Sequence, residues 1–518
     1  MLESAIHNNR LKLGKKSDTT TNTGTLEEGC PMSGLETEIK TRDPRLYNDD
    51  LAPIPSDKRS WGWFEIFNVW SNDVQSLFGY SLAASLFLTY GLSGWAVFAA
   101  IILAGFIVML LVNLSGRPSV KYGIPYPVFA RVSMGVFGAN FPALIRGIVA
   151  IFWYGAQTYF ASTAVALLLA TLTGSNGGAT FLGLTAIGWI SYLFVWCFQM
   201  FLFWRGIEWI RRFLNWAGPL VYVVMVGLMI VVWIKAGGSL LSEIGNIFSG
   251  TGADYHGSAF TAFVAIVGTM VAYFAAVVIN FGDFGRFVKD EKEMKKGNLI
   301  GLPLNIAFFS FIALIVTAGI VAIFGEQLTN PTDIVAKVDS FPLTIVAAIT
   351  FFMATIGINL VANFVPPAYD LANLFPSKID FRIGGMITAL IAFPIGALWV
   401  AVISQLGIFG FVNTLGAVLA PMYGIMISDY YLVKKQELDT QDLFSGEPGG
   451  KYYYDGGWNK KALFAFFPAA LFSVASVWMP LLQELSGYAW IIGAALGAVF
   501  YYLFACRNEA AATGAMRG

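Results

Sequence analysis

Charge is what this chain has least of. Asp, Glu, Lys and Arg make up 12% of its 518 residues, about half the ~25% of soluble domains. The 32 basic and 32 acidic residues cancel, which excludes the net positive field of a nucleic-acid binder. Cysteine is nearly missing as well: Cys30, Cys197 and Cys506 lie far apart, with no metal-ligand spacing and no disulfide framework. Cys30 falls in a polar tail, and the other two, in or beside apolar runs, are expected as small buried hydrophobes. The two histidines, His7 and His256, fall in that tail and in a loop, excluding a histidine proton relay or haem ligation inside a bilayer. No HExxH, GxSxG, Walker A or CxxC pattern occurs. The 236–259 and 434–460 loops are too short for a catalytic domain, so neither an enzyme nor a cofactor is expected. Residues 1–50 lack a basic n-region followed by an apolar h-region and are not a signal peptide. They read as a disordered cytoplasmic tail.

What is present is apolar: 57% hydrophobic and 15% aromatic residues. Apolar runs of about 20 residues predict an all-α polytopic membrane protein with twelve spans. They lie near 64–90, 92–114, 141–172, 182–203, 213–235, 260–282, 299–325, 341–366, 383–404, 406–429, 461–482 and 487–506. Lys and Arg cluster before span 1 and after every even span, as at Lys58 and Arg59, Arg211 and Arg212, and Lys295 and Lys296. The opposite loops hold little beyond Lys235 and Lys337. The positive-inside rule then places both termini in the cytoplasm and the chain in the cell (inner or plasma) membrane. Its transporter domain spans 51–506, followed by a short tail at 507–518.

The polar residues inside these runs carry the functional signal. Span 1 contains "WSNDVQS", placing Ser71, Asn72, Asp73, Gln75 and Ser76 together. At ~1.5 Å per residue Asp73 falls near the bilayer midplane, where a lone carboxylate costs on the order of 3 kcal/mol. Two roles are open to it: helix-gluing pair, or marker of an ion or substrate path. Non-helical backbone survives in hydrocarbon only where it lines a cavity, so the cluster is expected to unwind. Span 6 is the second expected interruption, with Gly268 upstream and Asn280, Gly282, Asp283 and Gly285 toward its end. If spans 1–5 and 6–10 are two halves, five being odd, the second half is inverted. Paired interrupted helices in two such halves point to a midplane site in a secondary transporter. Trp153 and Gln157 share a face of span 3, and Asn359 and Asn363 a face of span 8, each at i, i+4. Pro366 and Pro367 then bend or end that helix. An aromatic face beside an amide suits a flat, polar-edged ring; the separate alternatives are core packing for Trp153 and interhelical glue for the asparagines.

These stretches resemble the nucleobase–cation symporters of family 1, which include hydantoin, allantoin, cytosine and uracil transporters. The resemblance runs from about 48 to 506 through "DLAPIPSDKRSWGWFEIFNVW", "KYGIPYPVFARVSMGVFGANFPALIRG", "FWYGAQTYFAS", "GDFGRF", "NLVANFVPPAYDLANLFP", "GIMISDYYLVKK" and "KYYYDGGWN". It implies two inverted five-helix repeats (about 64–235 and 260–429), two extra helices (about 461–506) and uptake by alternating access. By motif it implies that Trp153 stacks on the substrate ring, and that Gln157 and Asn363 hydrogen-bond it. Ser76 faces it from span 1. Phe274 stands where many members carry a second stacking tryptophan, Tyr273 replaces a glycine, and Val412, before Asn413, matches a gate position.

The sodium-coupled members resemble this chain less at the cation site. The matching backbone carbonyls are those of Asn72, Gln75 and Ala354, but two hydroxyl ligands are replaced by Gly357 and Ile358. About three carbonyls remain, fewer than a hard cation takes. Asp73 matches an aspartate of proton-coupled fungal members, so the expected coupling ion is H+ carried by Asp73, with no metal.

The reading is therefore a proton-coupled importer of a nucleobase or cyclic ureide: uracil, allantoin, hydantoin or cytosine. The alternatives are a sodium-coupled symporter, an uncoupled facilitator or channel, and a non-transporting receptor. Partners are the ring and the lipid bilayer, with no nucleic acid and no obligatory protein partner. Asp283, Arg286 and Asp370 read as snorkelling or loop ion pairs, or as a gate. "FVKDEKEMKKGN" reads as a solvated loop and "GAALGA" in span 12 as a close-packing surface.

Overall fold

Helices follow the apolar runs almost without gaps. The structure, a computed structural model, describes residues 39–40, 42–175, 178–238, 240–248, 255, 257–338 and 340–515. Cys30, His7, His256, residues 1–38 of the expected tail and residues 516–518 lie outside them. In chain order the helices are α1 Trp63–Val74, α2 Leu77–Thr89, α3 Gly94–Tyr122, α4 Tyr126–Met134, α5 Asn140–Thr173, α6 Ala186–Trp204 and α7 Ile207–Ala236. There follow α8 Leu240–Ile247, α9 Ala259–Asn280, α10 Gly282–Gly285, α11 Glu291–Leu299, α12 Asn305–Phe324 and α13 Pro331–Val338. The last are α14 Phe341–Ile358, α15 Val365–Leu374, α16 Phe381–Ala397, α17 Ile408–Ser428, α18 Lys460–Trp478 and α19 Ala489–Ala515. A two-residue hairpin, Thr180–Phe181 with Leu184–Thr185, joins α5 to α6.

Among the described residues ten helices are long and apolar enough to cross a membrane, and α2 and α16 are shorter apolar helices. The outward faces are apolar: Leu110, Val223, Ile234 and Leu471 are exposed, as lipid solvation permits. Cys197 belongs to such a face. It is exposed on α6, correcting its expected burial, because a membrane helix presents apolar residues outward as well as inward.

Several local expectations are corrected. The polar stretch of span 1 does not unwind as a whole: α1 runs through Asp73 and the break is confined to Gln75 and Ser76. Its side chains hold the helix, with Asn72 Nδ2 donating to the Asn68 carbonyl and Gln75 Nε2 to Ser71 Oγ. Span 6 is interrupted only toward its end, at Phe281 between Asn280 and the short α10. α9 is continuous from Ala259 to Asn280, since Met270–Ile279 contains no Gly, Pro or polar cluster that would break it. Gly268 serves packing, for a Cβ there would clash with the Gly487 carbonyl.

The prolines of span 8 do not end it. Pro366 and Pro367 lack the N–H groups that the Ala362 and Asn363 carbonyls would accept from in an α-helix. Residues Asn359–Phe364 adopt a π-helix, in which the Val365 N–H reaches the Leu360 carbonyl, and α15 continues beyond. "FVKDEKEMKKGN" is mostly helix α11, with Lys295 and Arg117 both paired to Glu291. The "GAALGA" run is consumed within the chain: a Cβ on Gly493 would meet Ser473 Oγ at 2.5 Å, and one on Gly497 the Pro421 carbonyl at 2.4 Å.

Residues 43–50 of the expected tail pack on the helix ends that also carry the clustered Lys and Arg. Leu46 is buried, Arg131 donates to its carbonyl at 2.8 Å, and Asn48 Nδ2 donates to the Pro376 carbonyl. At the other terminus α19 continues past residue 506 to Ala515.

Candidate functional site

The α1–α2 break sits against α5, α9, α14 and α17, and its residues converge with those singled out from sequence. Ser76 is the N-cap of α2: its Oγ accepts from the Gly79 N–H at 2.8 Å, as short hydroxyl side chains do at helix starts. The same oxygen lies 3.2 Å from the Tyr273 hydroxyl and accepts from Gln157 Nε2 at 3.5 Å. Tyr273 also donates to the Asp73 carbonyl at 3.3 Å, one of those freed by the break. Spans 1, 3 and 6 are thus joined through one hydroxyl. Thr355 of α14 completes the break, its Oγ1 accepting from the Leu77 N–H at 3.2 Å. Sequence reading passed over Thr355, because a lone threonine in an apolar helix carries no pattern.

Trp153 is buried beside this knot, in edge-to-face contact with Tyr273 (5.6 Å, 82°), Phe78 (5.0 Å, 76°) and Phe411 (5.0 Å, 77°). The ring facing Trp153 from α9 is therefore Tyr273. Phe274, one residue on and so ~100° around the helix, turns to Trp70 at 6.3 Å, away from Trp153 and the stacking position that the resemblance implies. Val412 is fully buried, and the α17 side chain that covers Trp153 is its neighbour Phe411. Asn363 donates to Asn359 Oδ1 at 3.0 Å. Asn359 is committed to structure, its amide donating to the Tyr154 carbonyl, Thr158 Oγ1 and Gln199 Oε1.

Several acceptors here have no protein partner. Asn68 Oδ1, Asn72 Oδ1, Asp73 Oδ2, Gln75 Oε1 and Gln157 Oε1 are all buried without a hydrogen bond. Such groups cost ~1–3 kcal/mol each when left unsatisfied, and their concentration around one helix break marks a place built for something that donates. Gly357 lies directly against Asn72, where a Cβ would meet Asn72 Oδ1 at 2.2 Å. The room for a side chain at 357 is filled by that amide. Ala354 and Ile358 are buried on the same helix.

A second polar group lies toward the end of the molecule that carries the N-terminal segment. Arg146, fully buried on α5, donates from Nε and Nη2 to Asn280 Oδ1 (3.2 and 3.1 Å) and from Nη2 to the Ala362 carbonyl (2.6 Å). That carbonyl is one that Pro366 leaves without its α-helical donor. Asn280 Nδ2 donates in turn to Asp283 at 3.1 Å, whose other oxygen accepts from the Tyr126 N–H at 2.8 Å. Asp370 is buried nearby with neither oxygen bonded. Asp283, Arg286 and Asp370 are therefore not snorkelling; all three are buried, and Arg286 donates to the Asp50 and Ala52 carbonyls at 2.7 and 2.6 Å. Arg146 was legible but missed. It is an ionisable residue inside an expected span, the very signal that drew attention to Asp73.

Comparison with known proteins decides the family. A family described as permeases for cytosine/purines, uracil, thiamine and allantoin matches residues 53–493. The chain belongs to this permease family. An allantoin permease of Bacillus subtilis is 36% identical over 469 residues, covering 90% of this chain and 94% of that protein. A purine-uracil permease of Arabidopsis thaliana is 30% identical over 426 residues, 82% of this chain and 70% of its own. In fold, the permease aligns with a nucleobase–cation symporter solved closed around bromovinylhydantoin, with a TM-score of 0.75 and 22% identity over 89% of this chain and 96% of that one. The relatives are permeases, not enzymes, and the chain is a multi-pass membrane permease.

Proposed function

We propose that this permease is a secondary active importer of a planar, amide-edged ring of the uracil, allantoin, hydantoin or cytosine class, driven by protons. Twelve spans, ten of them in two inverted repeats of five, carry the ring by alternating access. Both termini are cytoplasmic, the membrane is the cell membrane, and no protein partner is required. The observation that carries the reading is the buried Asp73 carboxylate with an unbonded oxygen, three residues before a hydroxyl that joins Gln157 and Tyr273.

In this reading Trp153 supplies the face on which the ring stacks, once Phe411 withdraws. Gln157, with its free Oε1, reads an N–H of the ring edge. Asn363 bonds the opposite edge, and Tyr273, with Phe274 behind it, bounds the pocket. Asp73 takes the proton. Its main-chain carbonyl bonds Tyr273, so a change at the carboxylate is felt at the ring pocket through one hydrogen bond. Sodium coupling is the second reading, and one observation favours it: Asn72 Oδ1 is unbonded and lies against Gly357 of α14, offering a further oxygen to a cation.

Uptake of radiolabelled uracil, with allantoin, hydantoin and cytosine as competitors, tests both readings when repeated with a protonophore and without sodium. Accumulation abolished by the protonophore and indifferent to sodium is expected. A requirement for sodium would move the coupling site to Asn72, and equilibration without accumulation would make the chain a facilitator.

A further inference from the structure

A second place in the molecule repeats the chemistry of the Trp153 site. At the end opposite the N-terminal segment, a cavity of about 780 Å³ opens between the C-terminus of α2, the first turns of α9, the start of α17 and the loop before α19. Its walls include Tyr90, Tyr255 and Phe409, and its polar groups include Asn413 and Ser486. Tyr90 meets Tyr255 edge-on at 5.0 Å and Phe409 at 6.2 Å. Asn413 is 5% exposed, and its Nδ2 donates to Ser486 Oγ at 3.4 Å. Aromatic faces and an amide with a hydroxyl beside it are what a flat ring with alternating donors and acceptors needs. The volume falls in the range of small-molecule sites.

Helix α17 ties this cavity to the Trp153 site. Phe409 and Asn413, at i and i+4, share the face that lines the cavity. Phe411, between them in sequence, is ~200° around the helix and packs on Trp153 and Phe78 at 5.0 and 5.9 Å. Phe411 thus faces the Trp153 site while Phe409 and Asn413 of the same helix face the cavity. The helix begins at Gly407, whose positive φ of 69° suits glycine, and a Cβ on Gly410 would find only Trp478, at 4.0 Å. Neither glycine position is held by close packing, in contrast to Phe411, which is buried against Trp153, Phe78 and Trp399.

We propose that this cavity is an outer, weaker binding site for the same class of ring, occupied before Phe411 withdraws from Trp153. The proposal rests on the ring-importer reading above. Its test is equilibrium dialysis of the purified full-length chain with radiolabelled uracil, allantoin, hydantoin and cytosine in turn. Two rings per chain are expected, one tight and one weak. Asn413→Ala weakens the second about fivefold or more, the scale of one lost hydrogen bond, Phe409→Ala weakens it by a similar factor through the lost aromatic contact, and both leave the first unchanged. Gln157→Ala does the reverse. The retained equivalent in each variant shows that the protein is folded. A single ring per chain, unaffected by Asn413→Ala, overturns the outer site and leaves the importer reading standing. Binding of none of the four rings overturns both.

Discussion

Two buried polar groups share α5 and α9 and are satisfied in different ways. Around the α1–α2 break the polar atoms are mostly acceptors, and five of them, on Asn68, Asn72, Asp73, Gln75 and Gln157, have no protein donor. Around Arg146 donors are in supply, and they go to main chain and side chain alike: Arg146 donates to the Ala362 carbonyl and to Asn280 Oδ1, and Arg286 to the Asp50 and Ala52 carbonyls. Arginine spends a forked donor on carbonyls that other features leave open, and so fixes structure. The break keeps its acceptors open and so keeps its capacity to bind. Burial alone does not distinguish a functional polar cluster from a structural one: the five unmet atoms at the break are all acceptors, whereas around Arg146 unmet atoms of both kinds remain, Arg146 Nη1 and Arg286 Nε beside both Asp370 oxygens.

The sharpest way to break this contrast is Arg146→Met. It strips donors from Ala362 and Asn280 and leaves Asp283 and Asp370 without their nearby positive charge. Removing one partner of such a buried group costs ~3–5 kcal/mol, so the protein should fail to reach the membrane or lose most of its thermal stability in detergent. Normal stability with lost transport would move Arg146 from the structural group to the working one. Adding Asp370→Asn, which removes one stranded carboxylate, should recover part of the loss.

Asp73→Asn should act the other way, leaving stability in place and removing the drive. A proton moving through 100 mV supplies ~2.3 kcal/mol, about a fiftyfold concentration ratio at ~1.4 kcal/mol per tenfold. The variant's accumulation ratio should fall by that factor, toward unity, while exchange of ring for ring continues. Full accumulation with unchanged pH dependence would exclude Asp73 as the carrier.

How much of this contrast was legible beforehand follows from what periodicity reports. Hydropathy located the ten long helices, α2 and α16, because hydrocarbon thickness sets their length. The polar cluster at 71–76 identified the α1–α2 break but not its width, which side-chain bonds such as Asn72 to the Asn68 carbonyl reduce to two residues. The π-helix at Asn359–Phe364 was invisible: two prolines predict lost hydrogen bonds, not the arginine on another helix that compensates one of them. The turn of Phe274 toward Trp70 was likewise hidden, since the motif gives the position and the register of α9 gives the direction. Phe411 and Thr355 carry no pattern at all and emerge only from contact.

Gln157→Ala tests the open side of the contrast at smaller scale. Its amide makes one long bond, 3.5 Å to Ser76, so little stability is at stake. If Oε1 and Nε2 read the ring, losing about two hydrogen bonds at ~0.5–1.5 kcal/mol each raises KM roughly tenfold or more with stability unchanged. A stability loss without a KM effect would make Gln157 a structural amide like Asn359.

Tyr273→Phe should have the smallest effect, and the reason lies in its geometry. The hydroxyl sits 3.2 Å from Ser76 Oγ and 3.3 Å from the Asp73 carbonyl, both long for O–H···O bonds. Ser76 Oγ keeps its bond from the Gly79 N–H, so the α2 cap survives. Phenylalanine also preserves the edge-to-face contact with Trp153. A loss below ~1 kcal/mol predicts a rise in KM of about fivefold or less and an unchanged maximal rate. The substitution does cut the link from the main chain at Asp73 to the ring pocket, so the accumulation ratio should fall more than the KM changes. A variant with normal accumulation would mean that proton and ring communicate by another route through the break, with the Thr355 cap on Leu77 the next contact to remove.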